Sequence, residues 1–304
     1  MKISLKARQI LMMLYLLIAL SAAVRADIEV VDGTDEILHL DRPAQRIISL
    51  APHLTELLFA AGAGSQIIAT VEYSDYPAEA LNIPRIGSNN SISYEAIVGL
   101  SPDLVLVWQS GNGEQMIQRL KSLGLKVYVD APATLDDIAS SLGRLGQLAG
   151  TQEQAEQAVR KYRQKLSDLR RRYSERESLS VFYQVWDDPL LTLNGKHLVS
   201  EVIRLCGGRN VFADVLALVP KLSVESVIAA NPQMIVASAT AAQRRQWLKA
   251  WQNWSMINAV KSERLYFVPP SLLQRHSPRV LAGAEILCQQ LDSARQQLPA
   301  ADID

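Results

Sequence analysis

Apolar positions along this chain come in two kinds of pattern. Short continuous runs read as buried strands, and stretches where apolar residues recur every third or fourth position read as amphipathic helices. Residues 28–40, IEVVDGTDEILHL, alternate about Gly33-Thr34-Asp35 and predict a β-hairpin, broken by Arg42-Pro43. Strands are then expected at 47–50, 67–71, 104–108 and 126–129, and helices at 54–61, 95–100, 114–123 and 135–149. Residues 151–173 change character: strong helix formers and many charges, with no Gly or Pro. Ala155, Val159, Tyr162, Leu166 and Leu169 fall at helical spacing, so one long surface helix is expected. The alternation then restarts. Strands are expected at 180–185, 234–237 and 265–268, and helices at 197–205, 225–230, 244–251 and 278–291. Strands alternating with helices imply a parallel sheet covered on both faces. The order is lobe, long helix, lobe; lobes joined only by one stiff helix should rock through a small angle.

The two lobes share a phrase. Residues 93–107 read SYEAIVGLSPDLVLV and residues 223–237 read SVESVIAANPQMIVA. Ser93, Glu95 and Pro102 match Ser223, Glu225 and Pro232 at identical spacing. Such a duplication implies two similar lobes with a cleft between them, where function is sought. Glu95 and Glu225 are first-turn acids of their helices, which the helix dipole favours.

Composition narrows the partners. Lys plus Arg and Asp plus Glu are equal at 31 each, giving zero formal net charge. The basic residues of the 160s and 170s are interleaved with acids and amides, so no nucleic-acid partner is expected. Residues 1–26 read as a secretory signal peptide: Lys2, Lys6 and Arg8, an apolar run from Ile10 to Leu20, then Val24-Arg25-Ala26 as the cleavage site. The apolar run falls short of the roughly 20 residues that span a bilayer. Two cysteines, Cys206 and Cys288, in an exported chain favour a disulfide over two buried thiols.

Placement selects ligand-facing residues, because strand ends and the loops after them line the crevice of an α/β lobe. Tyr73 follows the strand at 67–71, Trp108 ends the strand at 104–108, Trp186 follows the strand at 180–185, and Arg275 lies beyond Val268. Aromatic side chains suit a large flat guest. Ser88, Asn89 and Asn90 occupy the loop before Glu95 and offer polar groups to amides. For Trp108 packing, for Tyr73 a turn anchor and for Arg275 an ion pair are the structural alternatives. No GxSxG, HExxH or GxGxxG segment is present, so an enzyme is not expected. The histidines, His39, His53, His197 and His276, are scattered, without the convergence a bare metal ion needs. His276, beside Arg275 at the expected cleft, is expected as a polar loop residue, with contact to a ligand, or to its metal as an axial donor, as the alternative.

The segments RIISLAPHLTELLFAAG (46–62), YSDYP (73–77), PDLVLVW (102–108), LCGGRNVF (205–212) and RHSPRVLAGAEILC (275–288), in this order, carry a resemblance. The chain resembles the helical-backbone class of periplasmic substrate-binding proteins that serve ABC importers of metal chelates, and within it the corrinoid-binding branch. The resemblance covers about 45 to 295. It implies an α/β fold of two Rossmann-like lobes with mostly parallel sheets, joined by a single long bridging α-helix: a class III periplasmic binding protein. The corresponding division is a signal peptide at 1–26, lobes at 27–150 and 175–304, and the helix at 151–174. It further implies a periplasmic monomer without chemistry or cofactor of its own. Such a protein captures cobalamin, its cobalt held by the corrin, and delivers it to an inner-membrane ABC permease dimer. Haem or an iron–siderophore is the alternative cargo.

By the same resemblance Cys206 and Cys288 are bonded, and Glu95 and Glu225 dock on the permease. Tyr73, Trp108 and Arg275 match ligand contacts, and Asn89, Leu191 and Ser271 occupy ligand-contact positions. There the chain departs from the branch: Asn89, Leu191, Val219 and Leu272 stand where it carries aromatics, and Ser271 where it carries an acid.

Overall fold

The computed structural model describes residues 27–88, 91–173, 175–240 and 242–298; the expected signal peptide and Asn89 lie outside them. The chain opens with the antiparallel hairpin β1 (Ile28–Val31) and β2 (Ile37–Leu40), Ile28 opposite Leu40. Gly33 at its turn lies against the edge of the first lobe. Its N–H donates to the Val129 carbonyl at 2.7 Å, and a Cβ there would meet the Ala131 nitrogen at 2.5 Å, so only glycine fits.

The first lobe then runs β3 (Ile47–Ser49), α1 (Pro52–Ala60), β4 (Ile67–Ala69), the small pair β5 (Gly87–Ser88) and β6 (Ser91–Ile92), and α2 (Tyr94–Gly99). It continues through β7 (Leu104–Trp108), α3 (Gln109–Asn112), α4 (Glu114–Ser122), β8 (Val127–Asp130) and α5 (Leu135–Ala149). The long helix is α6 (Gln152–Tyr173). The second lobe follows as β9 (Leu179–Gln184), α7 (Leu198–Leu205), β10 (Gly208–Asn210), α8 (Val224–Ala230), β11 (Met234–Ser238) and α9 (Arg244–Gln252). It closes with α10 (Asn258–Lys261), β12 (Leu265–Val268), α11 (Pro270–Leu273) and α12 (Val280–Gln296).

The duplication extends to topology. The sheets are ordered β4-β3-β7-β8 and β10-β9-β11-β12, with every neighbouring pair parallel. Numbered within each lobe, both read 2-1-3-4. The repeated serines do the same work: Ser93 Oγ accepts the Ala96 N–H at 3.1 Å, and Ser223 Oγ accepts the Ser226 N–H at 3.3 Å, each capping a helix. The strand order reverses between β3 and β7 and again between β9 and β11. The carboxyl ends of those pairs therefore open onto crevices, the position at which α/β sheets generally take their ligands.

The structure departs from the sequence reading at several points. β10 was not expected, because Gly208-Arg209-Asn210 carries no apolar run. It is a strand through its pairing with Leu179–Val181 of β9. The last helix starts at Val280 and ends at Gln296, later at both ends than expected. The long helix, spanning about 33 Å, is not the sole link between lobes. Ala155, Tyr162, Leu166, Leu169 and Tyr173 bury one face against both.

One apolar core runs from Leu54 and Leu142 through α6 to Val199, Leu287 and Leu291, while separate clusters fill the outer faces of the two sheets. Tyr162 Oη donates to the Leu135 carbonyl at 2.8 Å, and the Leu135 N–H donates to Glu201 Oε2 at 2.7 Å, tying α5 to α6 and α7. The lobes are thus packed through a shared helical layer. Cys206 and Cys288 are disulfide-bonded, both buried, with Cα atoms 4.7 Å apart, clamping the end of α7 to α12.

Candidate functional site

The first crevice is built from residues just past strand ends. His53 follows β3 and is buried at the start of α1; Trp108 ends β7. Their rings meet edge to face at 5.0 Å. From the second lobe His276 approaches both, 5.7 Å from each, and His197, the N-cap of α7, lies 6.2 Å from His276. Three of the chain's four histidines therefore gather about Trp108. The histidines, scattered in sequence, converge in space, and His276, which does lie in a loop, is buried rather than partly exposed. They are far apart in sequence, but the two-lobed topology brings a strand exit, a helix cap and a loop to one place. Among the described residues no group of three or more His, Cys, Asp or Glu is placed to hold a metal ion.

Burial makes these rings neutral. Desolvation, with His276 and Arg275 nearby, drives His53 well below its ordinary value. It holds His197 and His276 at about 4. Burial pushes the Asp130 carboxyl up to about 6, against the hydrogen bond donated by Ser141 Oγ at 2.6 Å. Asp130 Oδ2 lies 3.9 Å from His53 Nε2, and neither atom has a hydrogen-bond partner among the described residues. Between the lobes a cavity of about 390 Å³ is walled by Trp108, Pro132, His197, Leu218, Val219 and His276.

Beside it the lobes are joined by charge. Glu56, on α1, has its side chain only 1% exposed within a wholly buried run from His53 to Leu58. Its Oε1 accepts from Arg275 Nη1 at 2.7 Å and Arg279 Nη1 at 3.1 Å, and its Oε2 accepts from Ser277 Oγ at 2.5 Å. Arg275 also donates to Asp75 Oδ1 at 2.6 Å and to the Tyr73 carbonyl at 2.9 Å, and is 15% exposed. Burial raises the Asp75 pKa, but the hydrogen bond and charge of Arg275 prevail and hold the carboxyl below its ordinary value. Arg279 stacks on the Tyr76 ring, 4.0 Å from its centroid. Sequence reasoning missed Glu56. The available signal was an acid inside the apolar helix LTELLFAAG, a position that burial permits only to a paired carboxylate.

The other expected site residues are placed as follows. Tyr73 sits at the lobe junction with φ of +62°, tied down through its carbonyl, its side chain 75% exposed. Trp186 is half-exposed, its Nε1 donating to the Asp188 carbonyl at 2.9 Å. Leu191 pairs with Trp186 across a short loop. A small crevice of about 90 Å³ opens beside Trp186, with Gln184, Ser238 and Trp247, at the reversal point of the second sheet. Ser271 is half-buried on α11, in none of these groups. The structure thus brings Tyr73 to Arg275, Trp186 to Leu191, and Trp108 to His197, His276 and Val219. Glu95 and Glu225 are exposed at equivalent positions, and the surrounding burial patterns at 91–97 and 221–227 are identical. Its own backbone N–H and then Ser223 hold the Glu225 carboxyl below its ordinary value.

This arrangement resembles known proteins over most of its length. The vitamin B12-binding protein of Vibrio cholerae is 38% identical over 264 residues, covering 87% of this chain and 95% of that protein. The vitamin B12-binding protein of Yersinia pestis is 38% identical over 250 residues, covering 82% and 87%. The crystal structure of the periplasmic vitamin B12-binding protein BtuF of Vibrio cholerae superposes with a TM-score of 0.78, covering 83% of this chain and 98% of that one. The haem-binding protein RhuT from Roseiflexus, at 22% identity and a TM-score of 0.73 over 83% and 99%, shares the fold. The model of the periplasmic binding protein family matches residues 47–272, and this chain belongs to that family.

Proposed function

We propose that this protein captures a corrinoid, cobalamin, in the cleft between its lobes and hands it to an inner-membrane ABC permease. The observation that carries the reading is the 38% identity, across nearly the whole length, to vitamin B12-binding proteins. The cleft supports it, because Trp108 faces a cavity to which both lobes contribute walls. The guest is bound and released, with no bond made or broken. Its cobalt stays in the corrin, and the protein supplies no cofactor. Residues 1–26 direct export and are cleaved, and the mature protein acts as a periplasmic monomer. Glu95 and Glu225, one on each lobe, meet the two halves of a dimeric permease.

Trp108 is the test of the binding surface. A buried tryptophan contact contributes much of a site's affinity. Trp108→Ala should raise the Kd for cyanocobalamin roughly ten- to a hundredfold by isothermal titration, with an unchanged far-UV circular dichroism spectrum. Unaltered affinity removes Trp108 from the site.

A further inference from the structure

We infer that His197 and His276 hold the cargo by its periphery, each donating a hydrogen bond from Nε2 to a carbonyl oxygen, and that neither ring ligates the cargo's metal. This inference rests on the corrinoid reading of the cleft and adds which atoms of the guest are read.

The protons are placed by the surroundings. His197 caps α7: its Nδ1 accepts the Val199 N–H at 3.1 Å. A nitrogen that accepts carries its lone pair outward, so the single proton of the neutral ring sits on Nε2. The ring lines the cavity, leaving that N–H for a guest. His276 is 7% exposed and lines the same wall. Its Nδ1 is buried with no partner among the described residues. A proton there would be a buried N–H without an acceptor, so the favoured tautomer again carries it on Nε2.

Metal ligation needs the opposite arrangement. A histidine that binds through Nε2 has its proton on Nδ1, held by an acceptor behind it. His197 Nδ1 is itself an acceptor, and His276 Nδ1 has no acceptor among the described residues.

The walls around the two donors are mostly apolar, with Trp108, Pro132, Leu218 and Val219, and include one cation, Lys196. A donor in such a wall makes a strong hydrogen bond and is costly when left unmet. Neutral rings suit neutral acceptors, so the matching chemistry is the uncharged amide carbonyl, of which the rim of a cobalamin carries several. Sites built this way reject analogues that lack the acceptor.

The experiment separates donating from capping. Serine is a good N-cap but cannot reach the cavity as an imidazole does. Purified His197→Ser should keep its Tm near that of the unmodified protein, while its Kd for cyanocobalamin rises about tenfold by isothermal titration. His197→Ala should lose the same affinity and also melt earlier. His276→Ala, which removes no cap, should also weaken binding about tenfold. Cob(II)inamide, which lacks the nucleotide base, should show no nitrogen hyperfine splitting in its electron paramagnetic resonance spectrum when bound. If the unmodified protein gives no binding heat with cyanocobalamin, the corrinoid reading falls, and this inference with it. If it binds but His197→Ser and His276→Ala bind equally well, or if nitrogen splitting appears, the peripheral-donor assignment alone is overturned.

Discussion

Glu56→Ala should lower stability by about 3 kcal/mol, a fall in Tm of about 5 °C for a chain of this size. The carboxylate is buried on the first lobe, and three groups of the second lobe, Arg275, Arg279 and Ser277, converge on it. Removing an ion-pair partner costs more than the pair contributes, because the remaining charges stay desolvated and unpaired. Two features moderate the loss. Arg275 keeps Asp75, and Arg279 keeps its stacking on Tyr76. Glu56→Gln, which retains an acceptor oxygen but not the charge, should fall between the two. Calorimetry distinguishes these cases, and a Tm shift of less than about 2 °C for the alanine variant would mean that the lobes do not depend on this link.

Removing both Glu95 and Glu225 should bring corrinoid uptake in cells close to background while leaving the Kd for cyanocobalamin unchanged. Each glutamate stands exposed as the second residue of a serine-capped helix, at the same place in the duplicated unit. Neither lines the cavity between the lobes. Two equivalent carboxylates on two equivalent lobes can engage two equivalent halves of a permease, and charged docking governs encounter more than it governs intrinsic ligand affinity. Either single substitution leaves one lobe engaged, so uptake should fall only in part. Normal uptake by the double variant, at equal protein levels, would remove the docking role.

What was legible in the sequence was what periodicity encodes. The strands at 104–108 and 234–237, the long helix and the duplicated Ser-x-Glu units follow from local pattern, since a strand buried on both faces is a continuous apolar run and a helix buried on one face repeats every third or fourth residue. β10 was not legible, because its three residues become a strand only by pairing with β9. The shared helical core was not legible either. An amphipathic α6 shows that one face is buried but not that both lobes bury it.

The site shows the same division. Trp108 could be placed from its strand end. The meeting of His53, His197 and His276 could not, because it depends on how the first and second lobes face each other. Arg275 lies in the loop beyond β12, and its guanidinium is engaged with Glu56, Asp75 and the Tyr73 carbonyl, partners that no local pattern reveals. The buried acid that organises it sits in an apolar helix, where periodicity counts only the leucines.

Parallel isothermal titrations of the mature protein with cyanocobalamin, haemin and a ferric siderophore test the central claim most directly. The account predicts one-to-one binding of cyanocobalamin with a Kd below about 1 μM, and markedly weaker binding of the other two. One-to-one binding of haemin or the siderophore, with no heat from cyanocobalamin, would contradict it.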